Sequence, residues 1–335
     1  MYTAWTIGDI HGIGPEIILK SYRRFGTGTF RPLVFGSEKA LRFYSQKLGI
    51  ETDIAAFETL ADIESASELP EGVLPVISTV EPAGSIQPGV ITAEAGHIAM
   101  RSIETAARHC LEGKIRGMVT APIHKEAIAL AGATTIGHTD CLAELCDVPD
   151  PIMLFHDPAS MLTVALATIH IPYATVPDMI RSMDLGDFLD RLSRSLQADF
   201  GIASPRLAVL GLNPHASDGG VMGTEEETVI TPGIQQFSEE GVAEGPFPAD
   251  GFFGARCYRD YDAVVAMYHD QGLLPFKVLA FERGVNVTTG LPIVRTSPDH
   301  GTGFDIAGQG KASAESFIEA ARLAERIAEN RGKRQ

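Results

Sequence analysis

The sequence predicts an α/β fold of two units with mostly parallel sheets. Apolar runs of strand length alternate with amphipathic helical stretches along most of the chain. At 335 residues, the chain exceeds one ordinary domain. Three of the apolar runs end at or just before a histidine: Met161 to His170, Leu207 to His215, and Ala263 to His269. In a parallel sheet, ligands gather at the carboxyl ends of the strands. Three strands would then deliver three imidazoles to one rim. A lone histidine is more often structural. Three neutral imidazoles at one rim are a sufficient protein shell for a divalent metal with an open position.

The elements follow in order. Residues 3–10 read as a first strand, and Gly12, Gly14 and Pro15 as a turn with Pro15 placed to start a helix. Residues 32–36 read as a second strand. The stretch 50–88 is rich in Glu, Ser and Pro and reads as irregular with short strands. Ile91, Ala95, Ile98, Ile103, Ala106 and Cys110 recur near helical spacing, predicting a helix over 90–111 that Gly113 closes. A strand over 115–119 follows. Single amphipathic helices are expected over 179–196 and 313–329, the second with Ser313 as N-cap. No linker marks a boundary. We place one domain at 1–125 plus 290–335 and the other at 126–289.

The formal charge is −16, from 27 basic and 43 acidic residues. That argues against a nucleic-acid partner and against an anionic membrane surface, both of which call for a basic face. No apolar run approaches the roughly 18 residues of a membrane span. The N-terminus has neither a basic start nor a long apolar stretch, so no signal peptide is expected. The cysteines Cys110, Cys141, Cys146 and Cys257 form no CxxC pair and no disulfide framework. They read as reduced thiols of a cytoplasmic protein.

Several loops carry candidate chemistry. The turn Gly8 to Glu16 follows a strand and opens a helix, but it lacks the spacing of a G-x-G-x-x-G fingerprint. Gly137-His-Thr-Asp140 reads as a loop, either solvated or orienting a hydroxyl or phosphate group. Asn213 to Gly220 is dense in turn residues after a strand. Asp250 could orient a metal-bound histidine. Lys277 and Arg295 lie in largely apolar surroundings, where a substrate phosphate or carboxylate would supply the missing partner; the bland alternative is surface exposure. The glycine-rich stretch 299–311 could wrap a nucleotide.

Ordered motifs over nearly the whole chain resemble the 4-hydroxythreonine-4-phosphate dehydrogenase family of vitamin B6 biosynthesis. They are Thr120-Ala-Pro-Ile-His-Lys125, Gly137-His-Thr-Asp140, Thr168-Ile-His-Ile-Pro172, Gly211-Leu-Asn-Pro-His215, Pro248-Ala-Asp250, Tyr268-His-Asp-Gln-Gly272 and Arg295-Thr-Ser-Pro-Asp-His-Gly301. Gly12-Ile-Gly-Pro-Glu16 and His300-Gly-Thr-Gly-Phe-Asp-Ile-Ala-Gly308 are similar to the wider isocitrate/isopropylmalate dehydrogenase-like group. The resemblance implies that fold, with two α/β domains around a central cleft. It implies metal ligands at His170, His215 and His269, and substrate contacts at His138, Thr139, Lys277, Asn286 and Arg295. It implies an NAD or NADP site along the 300–308 loop, at Gly301, Asp305 and Gly308. It also implies a homodimer with the active site at the subunit interface.

The implied reaction is oxidation of 4-phosphooxy-L-threonine at C3. Loss of carbon dioxide to 3-amino-2-oxopropyl phosphate follows, on the enzyme or in solution. Lys277 and Asp250 are the candidates for the base. Nitrogen ligands suit zinc, cobalt or nickel; magnesium or manganese fit if substrate oxygens complete the shell. Ile10-His11, Ser217-Asp218 and Gly251 depart from the commoner family residues. They leave open a paralogue acting on 4-phospho-D-threonate or 4-phospho-D-erythronate. A zinc hydrolase is the distant alternative.

Overall fold

The computed structural model describes residues 1–25, 29–65, 69–135 and 137–334. In chain order the elements begin with β1 (Tyr2–Thr6), α1 (Gly14–Phe25), β2 (Arg31–Gly36), α2 (Glu38–Leu48), β3 (Asp53–Phe57), α3 (Leu60–Ser65) and β4 (Val73–Ser78). They continue with α4 (Ala93–Leu111), β5 (Met118–Thr120), α5 (Lys125–Leu130), α6 (His138–Cys146), β6 (Ile152–His156) and β7 (Thr163–Leu166). Next come α7 (Val176–Ser182), α8 (Leu185–Ser195), β8 (Arg206–Leu210), α9 (Thr231–Gln236), β9 (Val242–Phe247), α10 (Ala249–Gly254) and β10 (Ala263–Ala266). The chain ends with α11 (His269–Ala280), β11 (Val285–Thr289), β12 (Arg295–Pro298) and α12 (Glu315–Gly332).

The chain forms two compact units. One holds Met1–Asp150 and Leu291–Ala328, the other Pro151–Gly290 and Glu329–Gln335. The first break lies 25 residues beyond the 125/126 split read from sequence, because α5 and α6 pack on α4 and stay with the first unit. Gln335, the last residue of the range read from sequence, lies outside the described residues.

In the first unit the strand order is β3-β4-β2-β1-β5-β12, and the pairs are parallel. Its core gathers Leu33, Phe35, Ile77, Ile103, Met118 and Ile293 between sheet and helices. The fully buried strands explain the continuous apolar runs in the sequence. In the second unit the order is β11-β6-β7-β10-β8-β9. Strands β7, β10, β8 and β9 run parallel, while β6 is antiparallel to β7 and β11. Its core holds Phe155, Val164, Leu210, Phe252, Val264 and Phe276.

Local chemistry accounts for the helix ends. Thr92 caps α4 by accepting from the Ala95 N–H, and Gly113 follows its last turn at φ 71°, as the sequence predicts. The helix expected over 179–196 is two helices. Met183 is extended, and Asp184 opens α8 by accepting from the Asp187 N–H. An aspartate with its own backbone partner stops one helix and starts the next. Helix α2, which the hydrophobic pattern did not announce, is marked by caps: Ser37 accepts from the Ala40 N–H, and Gly49 is left-handed.

Candidate active site

Strands β7, β10 and β8 are neighbours and parallel, so their carboxyl ends share one edge. His170 lies four residues past β7, His215 five past β8, and His269 three past β10. The three histidine-bearing segments therefore leave the sheet at the same edge. Two hydrogen bonds lace the strand ends together. Thr168 Oγ1 donates to the Met267 carbonyl at 2.7 Å, joining the His170 and His269 arms. Gln271 Nε2 donates to the Gly211 carbonyl at 2.7 Å, joining the His269 and His215 arms. The missing side chain at Gly272 lets α11 lie against β7 and β10; a Cβ there would stand 2.7 Å from Val164 and 2.9 Å from Ala266.

The rings of His170 and His269 have their centroids 5.7 Å apart. His269 Nδ1 lies 2.8 Å from Asp270 Oδ1. As a donor to that carboxylate, Nδ1 carries the proton and leaves Nε2 as the lone-pair nitrogen. The carboxylate set against a candidate ligand is thus Asp270; Asp250 stands exposed in the first turn of α10. The donor chemistry of two approaching imidazoles, one oriented from behind, fits a divalent transition metal. Among the described residues of one chain, no three His, Cys, Asp or Glu side chains close into a ligand set.

His215 stands apart in backbone conformation. His215, Ala216, Ser217 and Asp218 all have positive φ, at 54°, 51°, 67° and 50°. Each such residue with a Cβ costs about 1–2 kcal/mol. The turn is held by backbone and carboxylate partners. The Asn213 N–H donates to Glu226 Oε1 at 2.7 Å, and Asn213 Nδ2 donates to Glu225 Oε2 at 2.8 Å and Glu226 Oε2 at 2.9 Å. Glu225 and Glu226 are buried, and Glu225 also pairs with Arg181. Gly211 is required beneath the turn, since a Cβ there would press within 3.0 Å of Ala216 Cα.

Lys277 lies on α11 eight residues past His269, about 12 Å along the axis. Asn286 sits on β11, with its buried Oδ1 without a hydrogen-bond partner among the described residues.

In the first unit, Arg295 opens β12 and is 3% exposed. Its Nη2 and Nε donate to Thr120 Oγ1 at 2.9 and 3.2 Å. Burial pushes the guanidinium down to about 9, so it is still a cation at neutral pH. Arg295 is therefore buried, not a surface residue. His138 and Thr139 begin α6, where the sequence reading expected a loop; Gly137 is the N-cap. Burial first, then the nearby Arg295 charge, holds the His138 imidazole well below its usual range. Its buried Nε2 has no partner among the described residues. Thr120, His138 and Arg295 form a polar group in which a buried cation favours an anion.

The 300–308 loop is left-handed at Gly303 and Gly308. The Ile13 N–H donates to the Thr302 carbonyl at 2.9 Å, and Phe304 stacks on His124 with centroids 4.7 Å apart. Gly301 has open space where a Cβ would stand, and Asp305 is exposed. Bare backbone beside an exposed carboxylate fits a dinucleotide, whose ribose hydroxyls donate to such a group.

Sequence reasoning missed Gln271, Asp270, Glu225 and Glu226. Asp270 and Gln271 lie within the Tyr268–Gly272 motif, and Glu225 and Glu226 follow the Asn213–Gly220 loop by five and six residues, but the role of each rests on contacts made in three dimensions. It also missed a buried polar group at the end of β1, where Asp9 Oδ1 accepts from the His11 N–H at 2.8 Å. Burial raises the Asp9 carboxyl, against the pull of His11 and His124.

A family model described as "Pyridoxal phosphate biosynthetic protein PdxA" matches residues 28–324. The chain is 61% identical over 333 residues to a curated 4-hydroxythreonine-4-phosphate dehydrogenase of Prosthecochloris aestuarii, covering 98% of each. It is 37% identical to the crystal structure of 4-hydroxythreonine-4-phosphate dehydrogenase from Klebsiella pneumoniae, with TM-score 0.83 and 98% and 99% of the two chains covered. It is 26% identical to a terephthalate 1,2-cis-dihydrodiol dehydrogenase of Burkholderia xenovorans, with TM-score 0.64 and 97% and 98% covered.

Proposed function

The chain belongs to the family of the pyridoxal phosphate biosynthetic protein PdxA, and from that premise we propose that it oxidises 4-phosphooxy-L-threonine at C3 with NAD or NADP. Decarboxylation to 3-amino-2-oxopropyl phosphate follows. The observation that supports this most directly is that adjacent parallel strands, each followed by one of the three histidines, end at one edge. The strong identity to a relative of that name supports the substrate.

In this reading His170, His215 and His269 hold one divalent ion, the set being completed in a homodimer. Such an ion would supply Lewis acidity at the hydroxyl being oxidised, and a dinucleotide held along the 300–308 loop would supply the hydride acceptor. Asp270 keeps the His269 proton on Nδ1. Arg295 and His138 receive the phosphate or carboxylate, and Lys277 and Asn286 add a cation and an amide. Each would help to orient the substrate group it binds. Thr139 contributes a hydroxyl from the first turn of α6. Lys277 and Asp250 are the candidates to take the hydroxyl proton. Gly301, Asp305 and Gly308 line the dinucleotide.

The homodimer reading is supported by an apolar stripe on α11 and just past it: Leu274, Val278 and Phe281, spaced i, i+4 and i+7, are all strongly exposed. A cytoplasmic location is supported by four free cysteines. No helix among the described residues is long and apolar enough to cross a membrane.

The test is NADH formation by the purified protein with NAD and 4-phosphooxy-L-threonine, with and without a chelator. Chelator-sensitive NADH formation supports the assignment. Activity on 4-phospho-D-threonate or 4-phospho-D-erythronate alone would move the chain to a paralogous substrate.

A further inference from the structure

We propose that Glu226, assisted by Glu225, is a positioning residue for His215: the two buried carboxylates hold the left-handed turn from which that imidazole projects. The inference rests on the metal reading given above.

Four consecutive non-glycine residues at positive φ do not persist without external support. The turn's own bonds are few. The Ala216 N–H donates to the Asn213 carbonyl at 3.2 Å, the Met222 N–H to the Ser217 carbonyl at 3.1 Å, and the Gly220 N–H to Ser217 Oγ at 3.2 Å. The firmer hold is at its entrance. There Glu226 takes both the backbone and the side chain of Asn213, two residues before His215, at 2.7 and 2.9 Å. Glu225 takes the same side chain at 2.8 Å and the Thr224 N–H at 3.1 Å, closing the loop's far end. Arg181, from α7, anchors Glu225. One pair of carboxylates therefore grips both ends of the loop that presents His215. Charge-assisted bonds of this kind are the strong ones, and they survive burial because every donor they need is supplied.

A second feature identifies the turn as the element being held. Gly211 and Gly223 both leave room for the clamp. A Cβ at Gly211 would meet Glu226 Oε1 at 3.1 Å, and one at Gly223 would meet Asn213 Nδ2 at 2.4 Å.

The experiment measures Zn²⁺ affinity of the full-length protein by competition with a chromophoric chelator, with the Co²⁺ absorption spectrum as a second readout. In Glu226→Gln an amide N–H faces the Asn213 side-chain N–H. We expect Zn²⁺ binding about 10–100-fold weaker and an altered Co²⁺ spectrum, with the apo protein still folded. Adding Ala216→Gly, which accepts the left-handed conformation without a clamp, restores most of the affinity. Asn213→Ala reads the clamp from the half-buried loop and decides alone if Glu226→Gln does not fold. Wild-type affinity in Glu226→Gln or in Asn213→Ala overturns the proposal, as does failure of Ala216→Gly to restore binding. His170→Ala is the control. Wild-type Zn²⁺ binding there sinks the metal reading itself, whereas loss there with retention in Glu226→Gln sinks only the clamp.

Discussion

The Gln271 side-chain N–H donates to the Gly211 carbonyl at 2.7 Å, and the same amide's oxygen accepts from the Met267 N–H at 2.7 Å. One side chain thus joins the end of β10 to the end of β8, and sets His269 and the His215 loop in register. Gln271→Leu keeps the volume and leaves the Gly211 carbonyl without that donor, costing about 1–3 kcal/mol. Urea unfolding should read that loss. Zn²⁺ affinity should fall as well, because the two histidine arms are no longer tied. A variant with unchanged stability and unchanged metal binding would show that the staple is idle.

Asp270 orients His269 from the far side of the ring, at 2.8 Å. Asp270→Ala removes the acceptor that keeps the proton on Nδ1. Because the carboxylate is exposed, the fold should be unaffected. Metal affinity should drop about 10-fold. Chelator competition with matched thermal melts checks both halves; an equal loss in an Asp250→Ala variant would argue against the specific role of Asp270.

His138 gives a pH signature. Its folded-state value is held well below 6.5, by burial first and the Arg295 charge second. Between that lowered value and 6.5 the unfolded chain binds a proton that the folded chain does not. Stability from this group is therefore full above about pH 6.5 and is lost as pH falls through the window below it. His109, lowered chiefly by burial, adds a slope of the same sign. His138→Asn should flatten the fall in unfolding free energy measured between about pH 7 and 5. An unchanged slope would mean that His138 is protonated alike in both states.

How far the sequence could be read depended on the kind of signal. Strands β7, β8 and β10 are apolar runs ending near histidines, so their shared rim followed from the pattern and the parallel-sheet rule. Arg295 was legible as a cation in apolar surroundings. Its place beside Thr120 was not, because residues 175 positions apart leave no spacing to read. The break at Met183–Asp184 was hidden by continuous amphipathic periodicity, although Asp184 was a cap in plain view. The left-handed run at His215–Asp218 had no signature at all, since these are ordinary L-residues held there by Glu225 and Glu226 from further along the chain. Propensity describes what a residue prefers, whereas a tertiary clamp decides what it adopts.

Trp5, the single tryptophan, reports on the first unit. It is fully buried, edge-on to Phe25 at 5.5 Å and to Phe317 at 5.1 Å. Its emission should be that of a dry indole and should shift red as the first unit unfolds. Chelation at the second unit's histidines should leave the spectrum unchanged while activity disappears. Trp5→Ala should cost about 3–5 kcal/mol in urea unfolding.

Leu274, Val278 and Phe281 are 66%, 77% and 74% exposed. Water is a poor neighbour for three large apolar side chains in a row, two on the helix that begins with His269 and one at its C-cap. If the homodimer covers them, Val278→Asp places a charge in a buried interface and drives the equilibrium toward monomer. Light scattering should then give the mass of one chain where the parent gives two. The fold should hold, because the substituted residue faces solvent in the isolated chain. The consequence for the metal is sharper. One chain closes no three-donor set among its described residues, so the monomer should bind Zn²⁺ more weakly than the dimer. A Val278→Asp protein that stays dimeric would place the interface elsewhere. A true monomer with undiminished Zn²⁺ affinity would mean that His170, His215 and His269 converge within a single chain.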